Sequence, residues 1–207
     1  MGFTVIGPDR FLGSGHPDGR DELPPFLGLI ESRDAGQTWK PISLLGKRDF
    51  HVLEARGQRV YGFGSDFETR EAALLVSDDG GRSWQRRDTP EGLISLAMSP
   101  QSLDHVVVSG ERGLYESRDG ARGWRPLDGE PGLVAWPKAD RLIAVATDGT
   151  VTRSDDTGLT WREVGDVGGQ PAAFERESAD DLYTALHDGT VKRSTDGGVS
   201  WSVRSTP

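Results

Sequence analysis

The chain has 207 residues, 24 Lys and Arg against 33 Asp and Glu, a formal net charge of -9 and no cysteine. An acidic balance argues against a phosphate-tracking surface, since nucleic-acid binders concentrate positive charge, and the lack of cysteine excludes disulfides and thiolate metal sites. No stretch approaches the roughly 20 apolar residues of a membrane helix and none sustains a 3.6-residue period; 28 Gly and 12 Pro among short apolar runs point instead to short strands and many turns.

In chain order the runs fall into a repeating unit. An apolar run (strand A) spans Phe3 to Ile6, and a second (strand B) ends in Asp9-Arg10-Phe11-Leu12-Gly13. A third (strand C) spans Leu27 to Ile30 and leads into Ser32-Arg33-Asp34-Ala35-Gly36-Gln37-Thr38-Trp39, whose Trp opens strand D. Strand A recurs at Phe50 to Leu53, Leu93 to Met98, Leu133 to Trp136 and Ala172 to Phe174. The eight-residue box, Ser-x-Asp-x-Gly-x-(Thr/Ser)-Trp, recurs at 77–84, 117–124, 154–161 and 194–201; the third copy departs from the pattern at Ala121 and Gly123. Successive box serines are 45, 40, 37 and 40 residues apart, a period that marks a repeat fold.

Four short antiparallel strands per unit, none able to bury both faces alone, predict an all-β β-propeller. The chain forms a single domain of five four-stranded blades at about 1–45, 46–89, 90–128, 129–166 and 167–207. The alternative is a six-bladed ring whose N-terminal blade is missing. Met1 to Ile6 has neither the basic start nor the apolar core of a signal peptide; the chain begins inside a strand, as a mature fragment or an internal start would.

The box itself reads as structural. Its Asp accepts backbone N–H groups in an Asx-type turn, its Gly takes the positive φ of a tight turn, and its Trp packs on its own hairpin or the adjacent blade, with the indole N–H finding an acceptor. A fully buried Trp of this kind is worth about 3–5 kcal/mol. One or two carboxylates per box are too few for a calcium cage of 6–8 oxygens. Asp34, Trp39, Asp79, Trp84, Asp119, Trp124, Asp156, Trp161, Asp196 and Trp201 are therefore staples.

Five copies of this motif resemble the Asp-box, or BNR repeat, of sialidases and related β-propellers, in particular the sialidase-like and glycosyl hydrolase-like proteins exported to the cell envelope or beyond. Asp-boxes also occur in xyloglucanases, sortilin-type sorting receptors and photosystem assembly factors, so the resemblance implies the propeller and leaves hydrolase and binding module open. It also implies an exported or cell-envelope protein, although this chain shows no signal peptide and a cytoplasmic location stays open. No sialidase catalytic residue carries over: there is no Arg-Ile-Pro motif, and the tyrosines Tyr61, Tyr115 and Tyr183 fall in strands, where core roles are expected.

Blade 1 has a long B–C loop (13–25) and blade 2 an intermediate one (64–71), against tight loops in the other three; extra loop on a regular scaffold is where binding concentrates. His16 and His187 lie in B–C loops, and His51 follows Asp49 at the start of strand A, all toward the loop face opposite the boxes; His105 belongs to the fold. The candidate ligand face is thus His16, Asp18, Asp49, His51, Asp66, Glu68 and His187, with His16 and His51 the pair for a transition metal; no other cofactor is expected. The expected function is non-catalytic binding of a glycan, small ligand or protein partner, with no nucleic acid and no membrane span. The alternative is a glycoside hydrolase drawing on Asp18, Glu22, Asp66 or Glu68.

Overall fold

A computed structural model describes residues 1–20 and 22–207. It contains five four-stranded antiparallel sheets and, among the described residues, no helix. Blade 1 is β1 (Phe3–Gly7), β2 (Arg10–Gly13), β3 (Leu29–Ser32) and β4 (Lys40–Ser43); blade 2 is β5 (Arg48–Arg56), β6 (Arg59–Asp66), β7 (Ala72–Ser77) and β8 (Gln85–Arg87). Blade 3 is β9 (Leu93–Met98), β10 (Val106–Gly110), β11 (Leu114–Ser117) and β12 (Arg125–Leu127). Blade 4 is β13 (Leu133–Ala135), β14 (Leu142–Val145), β15 (Thr150–Ser154) and β16 (Arg162–Asp166). Blade 5 is β17 (Pro171–Arg176), β18 (Leu182–Leu186), β19 (Val191–Ser194) and β20 (Ser202–Ser205). Each sheet keeps its strands in chain order, the meander of a β-propeller blade. The blades group into two compact units, Met1–Thr89 and Pro90–Pro207.

In the first unit, blades 1 and 2 share a core of Leu12, Leu29, Phe50, Leu53, Val60, Ala73 and Leu75. In the second, one cluster joins blades 3 and 4 around Val107, Leu114, Trp136 and Leu142, and another joins blades 4 and 5 around Ile143, Val151 and Leu182. The aliphatic three residues before each box Ser is buried at Leu29, Leu74, Leu114 and Val151, and half-buried at Val191. Tyr61 is fully buried, whereas Tyr115 and Tyr183 are half-buried.

The boxes repeat one hydrogen-bond pattern. In every copy the buried Ser hydroxyl donates to Asp Oδ1 at 2.7–2.9 Å and accepts the N–H four residues on, for example Gly81 N at 2.8 Å. In four copies the Thr or Ser hydroxyl donates to Asp Oδ2 at 2.5–2.6 Å. These donors hold Asp156 at about 2, through Thr160 first and then Ser154. Partial burial opposes them at Asp196, but Ser200 and Ser194 outweigh it and hold that carboxyl at about 2.

The turn asks for more than the sequence reading gave it. Both residues after the Asp have positive φ, including Ala35, Ala121 and Thr157, which carry side chains there. The second also meets the preceding blade: a Cβ on Gly81 would lie 2.1 Å from Leu29, and one on Gly158 would lie 2.8 Å from Leu127. The box therefore braces blade to blade.

One expectation is corrected. Strand D opens one residue after the box Trp, because the indole folds back over its own turn: Trp39, Trp161 and Trp201 donate to the carbonyls of Gly36, Gly158 and Gly198 at 3.1–3.2 Å. Each box Trp stays partly exposed, and Trp39 keeps 38% of its surface exposed beside Phe11. Trp84 is the variant, donating to Ser43 Oγ at 3.0 Å, while that hydroxyl caps the Gly81 carbonyl at 2.5 Å.

Candidate functional site

The long blade 1 loop is stitched down. Ser14 N–H donates to Gly2 O, and Ser14 Oγ accepts Phe50 N–H at 2.9 Å. Leu27 N–H donates to Gly15 O, Gly28 N–H to Arg48 O and Gly46 N–H to Phe26 O. The Phe26 ring is buried and meets Phe67 of the blade 2 loop edge-on, with centroids 5.3 Å apart. A loop so tied to blade 2 holds its side chains in place without secondary structure of its own.

This path sets His16 on blade 2. Its ring lies edge-on to Phe26 at 5.4 Å, and Nδ1 is 2.8 Å from the Pro25 carbonyl oxygen. A carbonyl only accepts, so the proton sits on Nδ1 and Nε2 turns the other way. Nε2 then meets Asp49 Oδ2 at 3.2 Å, and His51 Nε2 lies 3.7 Å from the same oxygen.

Blade 2 builds the floor. Asp49 pairs with Ser65 and Phe50 with Gly64, but the next pair is Val52 with Phe63, so His51 is the extra residue of a β-bulge. Bulges re-aim side chains: Asp49 and Phe50 are both buried, whereas His51 is exposed. The sequence reading placed His51 at the start of the strand; it is the fourth residue of β5, because pairing with the long β6 extends the strand back to Arg48. Gly64 permits the approach, since a Cβ there would fall 1.9 Å from the Asp49 carbonyl oxygen.

Only 5% of the Asp49 side chain is exposed, against 54% for His16 and 51% for His51. Asp49 Oδ1 is buried without a hydrogen-bond partner among the described residues. A buried carboxylate oxygen left in this way is costly. The site is thus a sunken acidic floor between two accessible imidazoles, all within the first unit.

The other candidate residues are engaged locally. Asp18 takes the Arg20 guanidinium and backbone N–H, which hold its carboxyl below the usual range. Asp66 caps its turn through the N–H groups of Thr69 and Glu68, both at 3.0 Å, which keep it ionised at lower pH than usual, and it pairs with Arg48 at 3.4 Å. Glu68 and Glu22 are exposed. His187, in the second unit, is an exposed residue just past β18, its N–H on the Gln170 carbonyl. Among the described residues, no group of three or more His, Asp or Glu side chains is arranged to hold a metal ion.

Sequence reasoning missed a second histidine–carboxylate cluster. In the second unit Glu116 is 2% exposed and accepts from His105 Nε2 at 2.7 Å, Arg118 at 2.9 Å and Arg125 at 2.5 Å. Burial raises its proton affinity, but Arg125, His105 and Arg118 together outweigh that and hold it ionised. The signal was present: Glu-Ser-Arg-Asp occurs at 31–34 and 116–119, and Glu31 likewise takes Arg10 and Arg33.

Comparison with known proteins agrees with the fold. The BNR/Asp-box repeat family model matches residues 75–86. No curated protein matches the sequence. Among solved structures, YCF48 bound to a D1 peptide is similar at 16% identity over 99% of this chain and 81% of that one, with a TM-score of 0.51. YCF48 from Cyanidioschyzon merolae is similar at 15% identity over 98% of this chain and 83% of that one, with a TM-score of 0.58. The GH74 xyloglucanase from Xanthomonas campestris reaches a TM-score of 0.68 at 19% identity, covering 99% of this chain but 37% of the enzyme. At such identities the likeness is one of fold.

Proposed function

We propose that this Asp-box β-propeller is a binding module that takes a peptide segment of a protein partner at the blade 1–blade 2 loop face. One observation carries the reading: an otherwise irregular loop is hydrogen-bonded onto the neighbouring blade so that exposed His16 stands beside exposed His51 over buried Asp49. The similar fold of YCF48, whose structure is bound to a D1 peptide, supports a protein partner.

The glycoside hydrolase reading draws no comparable support. Such enzymes need two carboxyl groups flanking the scissile bond, yet Asp18 and Asp66 are tied to their own turns and Arg neighbours.

The test is a peptide array and a glycan array probed with the labelled protein. The expected result is binding to a subset of peptides, abolished by the double variant His16→Ala/His51→Ala and kept by Val199→Ser on the second unit. Binding to glycans alone, or release of chromophore from aryl glycosides, would overturn it.

A further inference from the structure

The Asp49 carboxylate is unusual among the acidic groups of this protein. The buried Glu116 faces two arginines, and the half-buried Asp181 faces Arg193. Asp49 is buried to the same degree as Glu116, but only two imidazoles pair with it among the described residues, and Oδ1 has no donor at all. A buried carboxylate requires a compensating charge, and the fold supplies no permanent one here.

The two imidazoles supply that charge only when protonated. His16 spends its Nδ1–H on Pro25 O, so in the neutral ring Nε2 presents a lone pair toward Oδ2 at 3.2 Å, acceptor facing acceptor. His51 Nε2, at 3.7 Å from Oδ2, is beyond hydrogen-bond distance. Oδ2 and the Nε2 of the neutral His16 ring are thus two acceptors 3.2 Å apart, and the space beside them is bordered by two half-exposed rings.

We infer that this space receives the cationic nitrogen group of a basic side chain, lysine or arginine, carried by the peptide partner. The inference rests on the reading that the face binds peptides and names what the peptide must present. A cationic group donates several hydrogen bonds and accepts none, so it serves Oδ2 and Nε2 at once and supplies the missing charge. Bonds of this charge-assisted kind are about twice as strong as neutral ones. A net charge of -9 favours a cationic ligand over an anionic one. A divalent metal is the poorer fit, because it needs at least three protein ligands and, among the described residues, no group of three or more is arranged for one.

The experiment uses the whole chain with 13C-labelled histidine at fixed pH, following the four imidazole Cε1–H signals by NMR. The probes are Ac-Gly-Lys-Gly-NH2, its arginine analogue, its Nε-acetyl-lysine analogue and zinc chloride alone. The expected result is a saturable shift of the His16 and His51 signals with the lysine or the arginine probe, with His187 unmoved and no response to acetyl-lysine. Comparison of the two basic probes tells ammonium from guanidinium. Asp49→Asn should weaken the response by about tenfold or more, the loss of one charge-assisted contact, and Val199→Ser, exposed on the second unit, should leave it in place. An equal response to acetyl-lysine, no response to either basic probe, or saturation by zinc alone would overturn the inference. If array peptides still bind the Asp49→Asn variant at full strength, the inference fails while the peptide-binding reading stands.

Discussion

The two buried carboxylates, Asp49 in the first unit and Glu116 in the second, have much in common: each lies in a blade strand, each is at most 3% exposed, and each has a histidine Nε2 within 3.2 Å. They differ in what completes them. Glu116 is met by two arginines whose charge is permanent and whose donors fill both oxygens, and His105 is wedged edge-on to the fully buried Trp136 at 4.6 Å. Among the described residues, Asp49 pairs with no such cation and keeps an orphan oxygen. The lesson is that burial and a histidine alone do not single out a candidate site; the incomplete donor set is what distinguishes Asp49 from Glu116.

The largest effect should come from removing one side of the comparison. Gly64→Ala puts a methyl 1.9 Å from the Asp49 carbonyl oxygen and 2.6 Å from the Phe50 Cα, with backbone that cannot give way without unpairing β5 from β6. The expected loss is at or above the upper end of the ~1–3 kcal/mol of ordinary overpacking, together with loss of peptide binding. Gly113→Ala, with nothing within 4 Å of the new Cβ, should be nearly silent. Chemical denaturation of both variants checks this, and a Gly64→Ala protein as stable as Gly113→Ala would show that the Asp49 strand is not held where it is described.

Next in size is the direct contrast. Glu116→Gln removes the charge that two arginines and a histidine converge on, and should cost about 2 kcal/mol, the range for hydrogen bonds to a charged group; Arg118 and Arg125 are more than half exposed, which keeps the cost below that of a wholly buried pair. Asp49→Asn removes an uncompensated charge and adds an amide N–H that can face the His16 lone pair, so stability should hold or rise by up to about 1 kcal/mol. Denaturation midpoints at unchanged slope measure both. Equal losses in the two variants would mean that Asp49 is as fully compensated as Glu116.

What the sequence made legible follows from the range of the interactions. The boxes could be read because the Ser and Asp side-chain bonds that repeat in them run between residues no more than four apart, as from Ser32 to Asp34 and Gly36. The repeat period then gave the strand order, the five blades and the long loop of blade 1. His16 and His51 could be paired as neighbours on one face, but not placed on Asp49: that needs the bulge at His51, the close approach of Gly64 to Asp49 and the Pro25 carbonyl that turns His16, which together bring His16 onto a residue more than 30 positions away in the chain. Asp18 and Asp66 looked equally promising because sequence does not reveal that a carboxylate is already satisfied by its own turn. Glu116 was overlooked because two of its partners, His105 just before β10 and Arg125 at the start of β12, lie 11 and 9 residues away in the chain.

The smallest effect tests the same rule on a carboxylate that lacks one donor for a purely structural reason. Asp119 of the third box receives Ser117 Oγ at 2.8 Å and the Gly123 N–H at 3.0 Å, which hold it below the usual carboxylate range, but Gly123 has no hydroxyl for Oδ2. In the other boxes that hydroxyl sits 2.5–2.6 Å from Oδ2. Gly123 has no positive φ, and a Cβ there meets Asp119 Oδ2 at 3.3 Å, close enough that the hydroxyl it carries lands on the right atom. Gly123→Thr should therefore stabilise the chain by about 1 kcal/mol, combining one hydrogen bond with the reduced freedom of the unfolded chain. Gly123→Ala supplies only the second contribution and should gain less. If the Thr and Ala variants unfold at the same denaturant concentration, completing a carboxylate's donor set is worth nothing in this fold, and the orphan oxygen of Asp49 loses its meaning as a mark of function.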